Sequence, residues 1–235
     1  MKSDYPALEK ACLDEGTSFM ETGFNPGLAP DVPPMVASSL CDRVDQVEVF
    51  SGGNLLGLES TGSQIMGFGQ PLDSQSEDSL FVKHAVRSYR ETAHFLAEAV
   101  SLPIDDLVIE SEFEPALQDI DAGSTTVEKG TVAGVRLRLV GMIGDRRAAI
   151  HENTWFLGRD NLRPEWLGPV RDSGWTVRIK GDLDVELNLD VDLSGHPNAG
   201  QRLMAARMVN SIPTVCDAAS GGADLPRCSD PASLQ

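Results

Sequence analysis

The chain has 235 residues, of which 41% are hydrophobic, and a formal net charge of −17 at pH 7. This length suits one large domain or two small ones, and the apolar fraction is sufficient for a hydrophobic core. The acidic excess argues against nucleic acid as a partner, because polyanions are bound through clustered Lys and Arg, which the sequence does not contain.

Membrane and secreted classes are not indicated either. No apolar run reaches the ~18 residues of a membrane span, and the N-terminal sequence MKSDYPALEKACLDEG has no apolar segment typical of a secretory signal. We therefore expect a cytoplasmic protein with no membrane partner. The four cysteines are widely spaced without a CxxC pair, which predicts reduced thiols and no metal site. They are Cys12, Cys41, Cys216 and Cys228.

The first elements form a fragment of an αβ unit. Residues 5–15 have helical spacing, and Gly16 follows where a helix often ends in a left-handed residue. A short strand over residues 17–22 and a turn at GFNPG, residues 23–27, come next. Because such a fragment cannot bury both of its faces, we expect that preceding αβ units are absent from this chain.

A helix and a strand follow this fragment. Asp31 is predicted to cap a helix that carries two prolines in its first turn and runs to about Cys41. The alternation of residues 44–50 predicts a half-buried strand that ends at the SGGN sequence, residues 51–54. Residues 51–76 are the longest irregular stretch, and such loops are often functional.

The second half of the sequence predicts two amphipathic helices and a set of strands. The helices are residues 77–100 and 197–212, and the strands are residues 104–114, 130–142, 147–156 and 174–193, the last broken at Gly181 and Asp182. This order is typical of the α+β class. We predict a mostly antiparallel or mixed sheet of about five or six strands, covered by helices.

Four sequence stretches carry a resemblance to a known family. They are TGFNPGLAPDVPPMVASSLCDRVDQVEVF, then MGFGQP, then HENTW followed by RPEW, and finally VNSIPTVCDAASGGADLP. In this order they resemble the dihydrodipicolinate reductase-like superfamily, and within it the 2,4-diaminopentanoate dehydrogenase branch. The resemblance implies a two-domain oxidoreductase that moves hydride between NAD or NADP and the amine or imine carbon of a small amino-acid-like substrate.

The resemblance also implies a domain plan. Residues 1–27 would be the remnant end of a Rossmann nucleotide-binding domain with a hinge, residues 28–218 a substrate-binding and dimerisation domain, and residues 219–235 a C-terminal loop or tail. The glycine-rich phosphate turn of the Rossmann fold is missing, and Gly52-Gly53 does not open a helix. We therefore expect this chain alone not to bind the cofactor tightly, and we expect a homodimer or higher homo-oligomer.

Two segments are candidates for ligand contact. Asn25, Pro26 and Gly27 lie where the family brings an amide and backbone near the nicotinamide, although these residue types also form plain hinge turns. The loop of Met66, Gly67, Phe68 and Gly69 is a candidate substrate cover, with a core anchor at the phenylalanine as the alternative.

His151 and Glu152 are the candidate catalytic residues. They lie on opposite faces of a predicted strand, so that only one of them can point into a cleft. Either could bind a substrate amino group or relay a proton; a structural histidine and a solvated glutamate are the alternative roles. The paired histidine and lysine motif of dihydrodipicolinate reductases does not occur, which argues against activity on that substrate.

Other polar residues receive structural interpretations. His84 and His94 are ten residues apart on one helix without a third ligand, and His196 suits a helix cap more than an anion site. The acidic run at residues 182–192 is predicted to be the solvated face of a strand rather than a calcium loop.

Two alternatives to an enzyme remain open at this stage. One is a non-catalytic dimerisation or ligand-binding module, from a truncated gene or working with a separate nucleotide-binding chain. The other is a carrier of small ligands, which would need a closed apolar pocket.

Overall fold

The computed structural model describes residues 5–25, 27–57, 66–76, 78–123, 126–192 and 199–222. The chain divides into two compact units. The terminal unit consists of Met1–Leu28 and Ser194–Gln235, and the sheet unit consists of Ala29–Leu193.

The described elements follow one another in this order: α1 (Tyr5–Glu15), β1 (Ser18–Phe19), α2 (Leu28–Ser38), β2 (Val44–Asn54), a 3-10 turn (Leu72–Ser74), α3 (Leu80–Ala99), β3 (Asp106–Pro115), β4 (Ile120–Asp121), β5 (Thr126–Val127), β6 (Val132–Ile143), β7 (Arg146–Phe156), a second 3-10 turn (Arg159–Asn161), α4 (Pro164–Leu167), β8 (Ser173–Gly181), β9 (Val185–Asp190), α5 (Ala199–Asp217) and β10 (Gly221–Gly222).

The described residues of the terminal unit form two helices and a two-stranded parallel ladder. The predicted helix at residues 5–15 is confirmed as α1, and Gly16 follows it with a φ of 68°. The predicted strand is shorter than expected: only Ser18 and Phe19 pair, with Gly221 and Gly222 of β10. The second predicted amphipathic helix is confirmed as α5, although its predicted start at Pro197 lies outside the described residues.

The prediction for the start of α2 was wrong. This helix begins at Leu28, so Asp31 lies within its first turn and does not cap it. The Leu28 amide donates to the carbonyl oxygen of Gly23 at 3.0 Å, so the preceding turn leads directly into the helix. Pro33 and Pro34 lie inside α2, and the helix ends at Ser38 rather than near Cys41.

The sheet unit is built on one six-stranded mixed sheet, which confirms the α+β class. Its strand order is β3-β6-β7-β2-β8-β9. Every neighbouring pair is antiparallel except β2 and β7, which run parallel. The predicted break after Gly181 is also confirmed, since β8 ends there and β9 begins at Val185.

Strand β2 is longer than its sequence indicates. The predicted end at residues 51–54 was wrong, because Ser51 to Asn54 continue to pair with β7. A Cβ atom built on Gly52 would overlap the carbonyl oxygen of Arg171. Glycine at this position therefore lets a neighbouring backbone pack closely against the strand. The sequence pattern had indicated a turn there.

Helix α3 covers one face of the sheet. Ser79 caps it by accepting a hydrogen bond from the Val82 amide at 3.4 Å, so the helix begins after the predicted Glu77. Phe81, Val82 and Ala85 pack against Val132, Val135 and Leu137 of β6. Phe95 on the same helix is 41% exposed.

Candidate functional site

Strands β2 and β7 bring the resemblance motifs to one end of the sheet. Their parallel register pairs Val49 with His151 and Ser51 with Asn153. Because the two strands run in the same direction, the segments that follow them both start at this end of the sheet. These segments contain the MGFG loop at residues 66–69 and the RPEW sequence at residues 163–166.

His151 lies between the sheet and α3, with no exposed surface. Its Nδ1 atom is 2.8 Å from the Thr92 hydroxyl oxygen, and its Nε2 atom is 3.3 Å from the Ser51 hydroxyl oxygen. Thr92 and Ser51 are themselves buried. The three side chains therefore form a hydrogen-bonded chain through the middle of the sheet unit.

The hydrogen positions in this chain follow from its donors and acceptors. The Thr92 hydroxyl donates its one hydrogen to the carbonyl oxygen of Tyr89 at 2.6 Å, because a carbonyl can only accept. His151 Nδ1 must then carry a hydrogen and donate it to Thr92. Its Nε2 atom is left as the acceptor for the Ser51 hydroxyl, so the neutral ring is satisfied on both sides.

The surroundings favour the neutral imidazole strongly. Burial lowers the pKa of His151 from 6.5 to about 3. The aromatic rings of Tyr89 and Trp155 lie on the same side of the sheet, and burial raises the pKa of Tyr89 to about 12. These surroundings are those of a structural histidine; a catalytic role for His151 stays a prediction.

Glu152 points to the opposite face of the sheet, which we call the charged face. Its Oε2 atom accepts from Arg138 Nε at 2.7 Å, and its Oε1 atom lies 3.2 Å from Arg136 Nε. Thr154 also donates to Oε1 at 3.2 Å. Glu152 is 2% exposed. The alternative of a solvated glutamate was therefore wrong, because this carboxylate is buried within a set of arginine contacts.

The RPEW sequence is held against the charged face. Arg163 donates from Nε and a terminal nitrogen to the two carboxylate oxygens of Glu114, at 2.5 and 2.7 Å. The guanidinium of Arg136 lies 4.3 Å from the centre of the Trp166 ring and also donates to the Trp166 carbonyl. These contacts fix the segment after β7 relative to the sheet.

Sequence reasoning missed these arginines and glutamates. Their signal is the alternation of charge in the EFE and VRLRL segments, which places Glu112, Glu114, Arg136 and Arg138 on one face of adjacent strands. Glu112 contacts both arginines. Burial tends to raise the pKa of Glu112, but the hydrogen bonds and charges of the two arginines outweigh it and lower the pKa.

The loop of Met66, Gly67, Phe68 and Gly69 is anchored to the sheet. The Gly69 amide donates to the carbonyl oxygen of Val132 at 2.8 Å. Phe68 packs against two hydrophobic clusters of the sheet unit, one that contains Phe156 and one that contains Leu137. Met66 packs against the cluster that contains Leu137. The position of Phe68 matches the core anchor given as the alternative, and the role of the loop in covering substrate stays a prediction.

The turn at residues 23–27 holds the candidate nicotinamide contacts. Pro26 lies outside the described residues, and Gly27 forms a bridge with Phe24. A Cβ atom on Gly27 would lie 2.5 Å from the Gly23 carbonyl carbon, so the turn itself requires glycine here. Gly52 and Gly53 lie inside β2. Cofactor binding by this chain and a contact of Asn25 with nicotinamide stay predictions.

The remaining polar residues give no metal centre in the part of the chain that the structure describes. His84 is exposed and His94 half-buried on α3, and His196 lies outside the described residues. The acidic run is exposed, as predicted, and three of its carboxylates also pair with cations. Glu186 pairs with Arg178, Asp184 with Lys180, and Asp190 with Arg171.

No described helix combines the length and apolar character needed to span a membrane.

The fold has a solved counterpart. The chain superposes on an amine dehydrogenase from Mycobacterium smegmatis with a TM-score of 0.63 and 16% sequence identity, covering 92% of this chain and 60% of that one. The fold is therefore one that occurs within a dehydrogenase chain, of which this chain spans 60% of the length.

The particular family follows from the sequence itself. Residues 36–234 match the family described as the 2,4-diaminopentanoate dehydrogenase C-terminal domain, and the chain belongs to this family. This confirms the resemblance drawn from the four sequence stretches. No curated protein matches the chain.

Proposed function

We propose that this chain serves as the C-terminal part of an NAD- or NADP-dependent dehydrogenase whose substrate is a small amino-acid-like amine or imine. The family match over residues 36–234 is the observation that carries this proposal. In such an enzyme the sheet unit would hold the substrate, and a nucleotide-binding domain would hold the cofactor that accepts or delivers hydride.

The terminal unit buries few residues and exposes apolar side chains, which supports the proposal that a further protein domain packs against it. Among its described residues only Cys12, Ser211 and Gly221 are buried. Its ladder of β1 and β10 is parallel and two-stranded, whereas parallel strands normally occur in larger sheets covered on both faces. Large apolar side chains are exposed on its two helices: Leu8, Leu13, Met204, Met208, Val209 and Ile212.

We propose that a nucleotide-binding domain covers these side chains and extends the two-stranded ladder. Burial of apolar surface contributes roughly 25 cal/mol per Å², so covering these six exposed side chains would favour such an association. In the complete assembly Asn25 and Gly27 would approach the nicotinamide, and the loop at residues 66–69 would cover the substrate. Glu152 and His151 remain the candidates for proton transfer or amine binding.

The experiment combines this chain with a separately purified nucleotide-binding domain of a 2,4-diaminopentanoate dehydrogenase. We expect reduction of NAD⁺ or NADP⁺ that depends on both proteins and on an added diamine or amino acid. Met208→Glu should abolish this activity by placing a charge on the exposed face of α5, whereas Arg87→Gln on α3 should leave it unchanged. Activity that is absent with every tested amine, despite a stable complex, would contradict the dehydrogenase function.

The cofactor proposal is tested on this chain alone. Titration with NADH and NADPH, monitored by nicotinamide fluorescence, should show no saturable binding up to about 1 mM. Saturable micromolar binding would mean that the chain holds the cofactor without a second protein.

A non-catalytic module is the second candidate function. The sequence has no glycine-rich phosphate turn, which favours this alternative because a domain that only binds ligand or forms dimers needs no cofactor. A complex with a nucleotide-binding domain that stays inactive while the chain still associates with itself would support this alternative.

We also propose that the chain forms a homodimer or higher homo-oligomer. The resemblance implies a subunit contact through the sheet domain, and symmetric homo-oligomers are common among soluble proteins. Sedimentation equilibrium of the purified chain tests this proposal, and a monomer at all concentrations would overturn it.

A further inference from the structure

Arg207 lies on the face of α5 that packs into the terminal unit. Within residues 200–217 of this helix, the side chains that are not exposed are Leu203, Arg207, Ser211 and Val215. They are spaced by four, so they form one stripe along the helix. The Val215 carbonyl accepts a hydrogen bond from the Ser18 hydroxyl of β1, and Ser211 is 5% exposed. The stripe is therefore the inner side of α5, and it carries a positive charge.

The guanidinium of Arg207 is enclosed on one edge without a hydrogen-bond partner. Its Nε and Nη2 atoms are buried and donate to no described residue. The side chain as a whole is half-buried, so the other edge of the guanidinium, at Nη1, still reaches the surface. A charged group that is removed from water without a partner is strongly unfavourable. Arg207 therefore destabilises the terminal unit of the isolated chain.

Acidic residues of the same unit do not compensate this charge. The described part of the terminal unit contains the acidic side chains Glu9, Asp14, Glu15, Glu21 and Asp217. None of them contacts the two buried nitrogens of Arg207, and Asp14 pairs with Lys10 instead. In the sheet unit, by contrast, the buried arginine Arg136 contacts both Glu112 and Glu152. The described residues of this chain therefore do not supply the carboxylate that Arg207 lacks.

The apolar surface beside Arg207 indicates where a partner comes from. Met204 lies one turn before Arg207 and Met208 directly after it, and these methionines are 49% and 53% exposed. Both belong to the surface that we assign to a covering nucleotide-binding domain. A domain that packs on the two methionines also covers the Nη1 edge and removes the remaining water from the guanidinium. An acceptor on that domain must then replace the water.

We propose that Arg207 forms a buried ion pair with an aspartate or glutamate of the nucleotide-binding domain, an inference that rests on the function proposed above. The planar guanidinium matches the two oxygens of a carboxylate. The cofactor phosphates are less suitable partners, because a Rossmann domain binds them at its own glycine-rich turn and helix N-terminus. Arg207 thus has opposite effects in two states: it destabilises the isolated chain and stabilises the complex.

The first measurement uses the full chain alone. Arg207→Met keeps an unbranched side chain and removes the charge, so the amides of α5 should exchange at least about threefold more slowly. Arg87→Met, at an exposed arginine of α3, is the matched control and should leave the exchange of α5 unchanged. Faster or equal exchange of α5 in Arg207→Met would show that the guanidinium is already stabilised in the isolated chain, and would overturn the proposal.

The second measurement is the dissociation constant, by calorimetry, for the nucleotide-binding domain of a 2,4-diaminopentanoate dehydrogenase. Arg207→Met should weaken this association at least about tenfold, whereas Arg87→Met should not change it. Arg207→Lys keeps the charge without the planar fork and should recover part of the affinity.

The outcomes separate this ion pair from the proposed function. Equal affinities of the natural chain and Arg207→Met would contradict the ion pair and leave the proposed function intact. A natural chain that does not associate with the domain would contradict both. A loss of affinity that occurs only when NAD⁺ or NADP⁺ is present would identify the cofactor phosphates as the partner and overturn the assignment to a carboxylate.

Discussion

The imidazole Nδ1 of His151 lies 2.8 Å from the Thr92 hydroxyl oxygen. This contact joins the central strand β7 to the covering helix α3. Both groups are almost fully buried. The hydrogen bond therefore connects the two layers of the sheet unit through polar groups that have no access to solvent. Its contribution depends on the ring staying neutral.

The folding stability should fall in mild acid because of His151. Its pKa is about 3 in the folded chain, against an ordinary value of 6.5. Between these pH values the unfolded chain binds a proton on His151 and the folded chain does not. The contribution of the neutral ring to folding stability is therefore fully present above pH 6.5 and is lost as the pH falls towards 3. The slope from this group approaches about 1.4 kcal/mol per pH unit.

Urea unfolding at several pH values measures this effect. His151→Asn removes the titrating ring, and its free energy of unfolding should change less between neutral pH and about pH 5 than that of the natural chain. The variant is expected to be less stable at neutral pH, so the comparison is between slopes. Parallel pH profiles for the two proteins would show that His151 does not titrate as described.

Removal of the Glu152 carboxylate should destabilise the sheet unit. Glu152→Ala leaves Arg136, whose side chain is 8% exposed, without one of its carboxylate neighbours. Breaking a buried ion pair from one side costs about 3 kcal/mol. Thermal and urea unfolding check this value.

Glu186→Gln provides the matched control, because its pair with Arg178 lies at the surface. Surface ion pairs contribute little, so no measurable loss of stability is expected. Equal effects at the two positions would contradict the distinction between a buried and an exposed pair.

A methyl group at Gly52 should disrupt the end of β2. The Cβ atom of Gly52→Ala would overlap the Arg171 carbonyl oxygen, so the backbone must move apart. We expect a loss of at least about 2 kcal/mol in the free energy of unfolding. Gly200→Ala is the control, since no atom lies within 4 Å of a Cβ there and helix α5 would accept alanine. A neutral Gly52→Ala would mean that the two segments are not held this close.

Amide hydrogen exchange should separate the two units. Helices α1 and α5 carry exposed apolar faces and few buried residues, so their amides should exchange faster than those of β6 and β7 in the isolated chain. Adding a nucleotide-binding domain should slow exchange in α1 and α5. Protection that is already equal throughout the isolated chain would contradict the proposal that the terminal unit needs a cover.

Local pattern was sufficient for most of the strands. Alternation of apolar and polar residues predicted β6 and β7, because side chains along a strand point to opposite faces in turn, although both faces of these strands are buried. Gly181 and Asp182 predicted the break between β8 and β9. Local pattern failed at Gly52, where the reason for glycine is the approach of Arg171 from a distant part of the chain.

The sequence by itself determined the α+β class, the order of the longer helices and strands, and the family, since these depend on local periodicity and on motifs that are contiguous in the chain. Only the tertiary structure decided that β2 and β7 run parallel, that His151 is enclosed between Ser51 and Thr92, and that Glu152 is buried among arginines. The physical reason is that burial and hydrogen-bond partners come from residues far apart in sequence, and no local pattern records which strands become neighbours.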